Sequence, residues 1–322
     1  MTKKLKVLVI RLSSIGDIVL TTPVLRCINS QLNVSIDFLT KDKYKSLLAA
    51  NTDIENLIFL SNDISHTIKA LRANRYDMII DLHNNLRSFR IRYALNTKSY
   101  VLNKHSLKRF ILIYFGVDFL KNHVVDRYFE TVKSIGVYND KKGISYTLNP
   151  TTKIDFNTKQ DYIAWIIAGS YETKKLSRKQ IEDVISKLDM PVVLIGGNSE
   201  NEIAELIVNN SFNKKIYNFC GIISLDQSAL LIKHSKLVLT NDTGMMHISS
   251  AFSNPIISLW GCTKPSLGFS PYMPKNKFEN LISEMSNKPC SKHGKNCNYL
   301  NDGCVKSISA EKIYNTINKL LK

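Results

Sequence analysis

The sequence lacks several things, and each shortage excludes a class of protein. It has no apolar run of about 18 residues or more, so no segment reads as a membrane-spanning helix. Its start, MTKKLK, is basic. The apolar stretch behind it is short, however, and enters Arg11 with no A-x-A-like cleavage site, so it reads as the first strand of a cytoplasmic protein. The pattern G-x-x-x-x-G-K-[ST] is missing, and so is a clean G-x-G-x-x-G. Those gaps argue against a P-loop enzyme and against a nicotinamide-dependent oxidoreductase. No D-x-D pair occurs, which leaves a hard divalent cation without obvious ligands. There is no RNP-like motif, no standard zinc finger and no basic sheet interleaved with aromatics, all marks of nucleic-acid binders. Acid is scarce too: 27 Asp and Glu face 44 Lys and Arg, a formal charge of +17. That imbalance favours an anionic partner, whether nucleic acid, a phosphate-rich small molecule or an acidic membrane surface.

What is present is an alternation. In the first half, apolar strands at 6–10, 34–39, 57–60 and 78–82 are separated by helical patterns at 23–31, 43–50 and 65–74. A longer helical region at 105–135 follows and ends at Gly136, a candidate C-cap. Residues 146–161, polar and holding Pro150, read as a linker. The alternation then restarts, with strands at 162–168, 192–195, 215–218, 237–240 and 256–260 and helices between them. An amphipathic helix at 310–321 closes the chain. The 322 residues suit two domains of about 150 each, both built from parallel βαβ units. In such sheets ligands bind where the strands end, at the point where strand order reverses.

Candidate sites fall at those strand ends. In LVLTNDTGMMHISSAF a buried strand stops at Asn241-Asp242. Thr243 can cap the following helix, Gly244 lets a ligand approach the backbone, and His247 adds a donor, which together suit a phosphate. In IAGSYETKKLSRKQI, Ser170, Thr173, Lys174 and Lys175 put hydroxyls and ammonium groups beside a strand end, as a diphosphate requires. In LIGGNSENEI, Glu200 follows a glycine turn and can accept from ribose hydroxyls. Each has a plainer reading: a capped helix with a core histidine, a solvated basic loop, an ordinary turn. In RLSSIGDIVLTTP a strand ends in small residues and Asp17, which by itself reads as a helix cap. DLHNNLRSFRIRYAL sets Asn84 and Arg87 on a polar, cationic lip suited to an acidic acceptor, or on a solvated helix face. Lys104, Lys108 and Arg109 alternate with Phe110, Tyr114 and Phe115, a pattern for anionic lipid or simply for core aromatics.

Cys27, Cys220 and Cys262 sit among apolar segments and are expected to be ordinary buried thiols. Cys290, His293, Cys297 and Cys304 are zinc-ligand types without a standard zinc spacing, and free thiols or an adventitious disulfide are the plainer explanation.

Taken together, RLSSIGDIVLTTP near the start, with NDTGMMH and WGCTKP near the end, resemble glycosyltransferase family 9, the lipopolysaccharide heptosyltransferases. The resemblance implies an α/β fold of GT-B type, two Rossmann-like doubly wound domains facing a central cleft. Residues 1–155 would bind the acceptor, 156–308 the nucleotide-sugar, and 309–322 would form the closing helix. It implies inverting, metal-independent transfer from an ADP-heptose-like donor to an anionic lipid-linked oligosaccharide acceptor. The enzyme would be a cytoplasmic monomer without cofactor or nucleic acid, in peripheral contact with the inner face of the membrane. By this resemblance Asp17 is the catalytic base, beside Ser13, Ser14 and Gly16. Lys174 matches the lysine of a K-x-W-P motif, Asp242, Thr243, Gly244 and His247 match D-T-G-x-x-H, and Ile223 lies by the adenosine pocket. The segment 123–127 looks like H-x-V-x-R. Departures stand at Leu176 and Ser177, in place of Trp-Pro, and at Cys262 and Lys264, in place of Pro and Asp; they leave Lys174 and Lys175 exchangeable and the donor's base and sugar open. A transferase of this fold with another nucleotide-sugar, a non-catalytic nucleotide-sugar sensor and a basic nucleic-acid-binding protein are the competing readings.

Overall fold

The computed structural model describes residues 4–211 and 215–322. The chain forms two compact units. Residues 4–104 and 124–149 make the first, and residues 105–123 and 150–322 the second.

The first unit is built on five parallel strands: β1 (Leu5–Ile10), β2 (Val34–Thr40), β3 (Asn56–Phe59), β4 (Met78–Asp81) and β5 (Ser99–Val101). Their order is β3-β2-β1-β4-β5. The last four residues of β1 are buried, as expected for a strand covered by helices on both faces. Leu8, Ile10, Leu39, Leu71, Ile79 and Ile91 form the core of one face. Strand order reverses between β1 and β4, so the segments leaving those two strands share the switch point.

The second unit has six parallel strands: β6 (Ile163–Ile166), β7 (Val192–Ile195), β8 (Ile216–Asn218), β9 (Leu237–Asn241), β10 (Ile256–Trp260) and β11 (Phe278–Ile282). The order β11-β10-β9-β6-β7-β8 reverses between β6 and β9. Trp165, Leu194, Leu239 and Ile257 fill its core, and the helix Ala310–Leu321 adds Ile313, Ile317 and Leu320 to it. Ser309 caps that helix by accepting from the Lys312 N–H.

Three differences from the sequence expectation have physical causes. The helical region 105–135 is two helices, Ser106–Phe115 and Val124–Val132, because Gly116 takes a left-handed φ of 76° and ends the first. The first helix belongs to the second unit, where Leu112 and Leu120 pack with Leu267. Strands β5 and β11 escape a periodicity reading, one through its three-residue length and the other through its Glu279-Asn280 pair at a sheet edge.

Candidate functional site

At the carboxyl end of β1 the chain turns through Ser13 and Ser14 into the short helix Ile15–Val19. Asp17 stands at its third position and accepts from the Ser14 N–H (3.2 Å) and the Ser14 Oγ (2.9 Å) on one oxygen. Its other oxygen receives Arg11 Nη2 at 2.7 Å. A carboxylate offers about four acceptor positions; these three bonds leave one open on Oδ1, and the side chain keeps 22% of its exposure. Burial alone would raise the Asp17 pKa. The Arg11 charge and the bonds from Ser14 and Arg11 outweigh it and hold the carboxyl below the ordinary carboxylate range. Arg11 is itself fixed, donating to the carbonyls of Ser13 (2.8 Å) and Leu82 (2.5 Å). Gly16 is buried under the turn, Ser13 is half-buried and Ser14 is exposed.

The adjacent end of β4 is held by Asp81, fully buried. It accepts from the backbone N–H groups of His83 (2.9 Å) and Asn84 (2.7 Å) and pairs with Arg92 at 2.9 Å. Asn84 adopts a left-handed φ of 47° and donates its side-chain amide to Leu102 O (2.8 Å). His83 is half-buried, and its Nδ1 has no partner among the described residues. Burial, with the charges of Arg11 and Lys104, pushes its pKa down to about 4, so the ring is neutral at physiological pH. Arg87 is exposed in the first turn of the helix Leu86–Leu95, whereas Arg92 is spent on Asp81.

In the second unit the equivalent point lies between the ends of β6 and β9. Asn241 ties them by donating to Ile167 O and Ala168 O, both at 3.0 Å. Lys174 Nζ sits 2.6 Å from Asp242 Oδ2, and Thr263 donates to the same oxygen at 2.7 Å. Lys175 points elsewhere, to Glu172 (2.6 Å) and to Glu200 (2.8 Å). Glu200 is 3% exposed and also accepts from the Gly197 N–H and the Ser199 hydroxyl, both at 2.8 Å, so its carboxylate closes the loop after β7. The two adjacent lysines therefore do different work. Thr243 occupies the N-cap position of the helix Gly244–Ser249 but makes no capping bond. Its hydroxyl is buried and has no partner among the described residues. His247 is buried in the same helix. Ser170 is exposed at the end of β6, and Ile223 is half-buried between β8 and the helix Leu225–His234. His123 Nε2 lies 2.9 Å from Ser270 O, with its ring 4.6 Å from that of Tyr272.

Four sulfurs of the second unit lie within 4.8 Å of one another: Cys262, Cys290, Cys297 and Cys304. His293 is not one of them. Cys262, which the sequence presents as an ordinary core thiol, takes the place expected for the histidine. The reason is a pair of backbone bonds beyond the ends of β10 and β11, the second made by the loop that follows β11. Ser283 N–H donates to Trp260 O and Cys290 N–H to Cys262 O, both at 2.8 Å, which brings the distant cysteine beside the cluster.

Residues 64–300 match the family model described as glycosyltransferase family 9 (heptosyltransferase). The chain belongs to glycosyltransferase family 9. Lipopolysaccharide heptosyltransferase 1 of Campylobacter coli is 24% identical to it over 351 residues, covering 98% of this chain and 99% of the relative. The family 9 glycosyl transferase of Veillonella parvula superposes with a TM-score of 0.80 at 20% identity, covering 100% of this chain and 98% of that one. Escherichia coli ADP-heptose heptosyltransferase II gives 0.73 at 19% identity, with 98% of each chain covered. The two parallel sheets are thus those of a family 9 glycosyltransferase, with the GT-B type of fold. Two residues that hold the candidate site have contacts the sequence does not disclose: Arg11, which grips Asp17, and Thr263, which donates to Asp242. Arg11 ends a strand that leads to an acid, which is the nearest thing to a clue.

Proposed function

We propose that this family 9 glycosyltransferase moves a heptose, or a closely related sugar, from an ADP-sugar to a hydroxyl of a lipopolysaccharide core acceptor. Transfer inverts the anomeric centre and involves no metal in the chemistry. The observation that carries this reading is the cluster at the switch point of the second sheet. There Lys174 and Thr263 converge on Asp242, next to a buried, unpartnered Thr243 hydroxyl. Lys174, Thr243 and the backbone at Gly244 then receive the diphosphate, with Ser170, Thr173 and His247 around it. Ile223 borders the adenosine, and the clasp of Lys175 with Glu200 shapes the neighbouring loop.

The acceptor hydroxyl attacks the anomeric carbon as the bond from that carbon to the diphosphate oxygen breaks. Its proton passes to the open position on Asp17 Oδ1, and the nucleoside diphosphate departs. A carboxylate with a lowered pKa is a weak base, so it takes the proton late, when the new C–O bond has made the hydroxyl acidic. Ser13, Ser14, Asn84 and Arg87 border the acceptor. The protein acts as a monomer at the inner face of the cytoplasmic membrane, where a lipid-linked acceptor is available.

The test is ADP release from ADP-heptose in the presence of a lipid A–inner-core acceptor. Asp17→Asn should slow release by about 10²–10⁴-fold while leaving ADP binding unchanged. Normal turnover by that variant would overturn the mechanism. A thermal-shift panel of nucleotide-sugars identifies the donor, because the ligand that binds most tightly raises the melting temperature most.

A further inference from the structure

We propose that Cys262, Cys290, Cys297 and Cys304 bind one thiophilic divalent cation, zinc or ferrous iron, and that this ion fixes the loop packed against Thr173 and Lys174. The four sulfurs lie within 4.8 Å of one another, and all four cysteines are free of disulfides. Two of the separations are 3.7 Å (Cys290 to Cys304) and 3.1 Å (Cys297 to Cys304). A disulfide would need about 2.05 Å. Thiolates about 2.3 Å from a central tetrahedral ion stand about 3.8 Å apart, which is the scale seen here.

Three of the cysteines are buried and Cys297 is half-buried, so a bound ion would be enclosed as structural ions are. Backbone donors are aimed at the sulfurs: Leu300 N–H at Cys297 Sγ (3.3 Å) and Cys304 N–H at Cys262 Sγ (3.5 Å). Such second-layer bonds favour the thiolate form that a metal requires. Charge points the same way. Lys264 is 3% exposed, lies within electrostatic reach of Cys304, Cys290 and Cys262, and has no carboxylate partner among the described residues. Four thiolates around a divalent ion carry two net negative charges, which offset a buried ammonium. All-sulfur tetrahedral sites select zinc or iron over harder cations.

The loop that carries three of these cysteines also packs against the proposed diphosphate site. Thr173 Oγ1 donates to Gly294 O. A Cβ on Gly294 would stand 2.7 Å from Lys174 Cε, and one on Gly303 would collide with the Thr173 backbone. Both glycines hold positive φ, 76° and 106°. Holding this loop is therefore how the ion reaches Lys174. That second clause rests on the donor-site reading above; the metal site itself does not.

The experiment is elemental analysis of full-length protein purified without chelator or added metal. One zinc or one iron per chain is expected, and the analysis says which. His293→Ala, Cys27→Ser and Cys220→Ser should keep the metal, whereas Cys262→Ser and Cys297→Ser should lose it. Should the serine variants fail to fold, titration of the wild type with a mercurial serves instead: ion release should track the modification of four thiols. Wild-type protein that holds no metal and takes up neither added Zn²⁺ nor Fe²⁺ under reduction overturns the site. So does loss of metal from His293→Ala with retention in Cys262→Ser. Stripping the ion should weaken ADP binding by about tenfold or more; unchanged affinity overturns the positioning role. A metal-loaded protein that never binds ADP would refute the donor-site reading while the metal count stands.

Discussion

Lys174 and Lys175 are neighbours in sequence and of the same type, yet their surroundings give them different roles. Lys174 faces Asp242, just past the end of β9 across the switch point, and Lys175 is locked between Glu172 and Glu200. Lys174→Ala should therefore weaken ADP binding by about tenfold or more, because the proposed charge-assisted contact to phosphate is lost. Lys175→Ala should instead lower stability through an unpaired buried Glu200, with a smaller effect on ADP affinity. Calorimetric titration with ADP alongside thermal denaturation separates the two; equal losses of affinity would contradict the assignment. At Asp17 the sign of the pKa shift also makes a statement about pH. A carboxyl held below its ordinary value is fully ionised above about pH 5. The acid limb of kcat/KM due to Asp17 should thus lie below that pH, and a pH–rate profile that loses activity between about pH 5 and 7 through a carboxyl would refute the Arg11 coupling.

At the level of elements, the segment after the helix Val124–Val132 is stitched along the helix Thr22–Gln31. Gln31 exchanges two bonds with the Tyr138 backbone (2.7 and 2.9 Å), and Arg26 grips Asp140 through two bonds at 2.8 and 2.9 Å. The Arg26 hydrogen bonds draw the Asp140 pKa down to about 2. A depressed carboxylate stabilises the fold above its unfolded pKa of about 4 and loses that contribution as pH falls through the folded value. Asp140→Asn should cost about 1 kcal/mol at neutral pH. Urea denaturation should show the gap between wild type and variant closing as pH drops from about 4 toward 2. A gap that persists in acid would assign the effect to packing.

Elements were legible in the sequence wherever one periodicity ruled. The buried strands β1, β6, β7, β9 and β10 announce themselves as apolar runs bounded by polar turns, and the helix Ala310–Leu321 by its spacing. Strand β11 was not, because FENLI alternates with nothing and depends on β10 for its register. Of the site, the strand-end motifs were legible because their residue types are local. Thr263 and Cys262 were not, since each reaches its partners through the turn after β10. The Thr243 hydroxyl was expected to cap its helix, and no local signal distinguishes a capping threonine from one that leaves its hydroxyl free.

On the scale of the molecule, +17 of charge is combined with an apolar surface on one helix. In Ser106–Phe115, Leu107 and Phe115 are 72% and 69% exposed, and Phe110 and Tyr114 are exposed beside them. Arg109 differs: it is half-buried and lines a cavity of about 430 Å³ with Lys288 and Lys292. An amphipathic helix on a cationic protein suits an anionic bilayer surface, in keeping with the lipid-linked acceptor proposed above. No helix among the described residues is long and apolar enough to cross a membrane. Wild-type protein should co-sediment with vesicles of anionic phospholipid, less at high salt, and Leu107→Ser with Phe115→Ser should reduce the bound fraction severalfold. Equal binding by the double variant would move the contact elsewhere.

The chain passes between the two units at 104–105, 123–124 and 149–150, because residues 105–123 leave the first unit to join the second. Synthesis meets this detour early. Leu112 and Leu120 emerge well before Leu267, their partner, exists. At a translation speed of about 5–20 residues per second the nascent segment waits on the order of ten seconds for that partner. During that interval Leu112 and Leu120 lack the leucine that buries them in the folded unit.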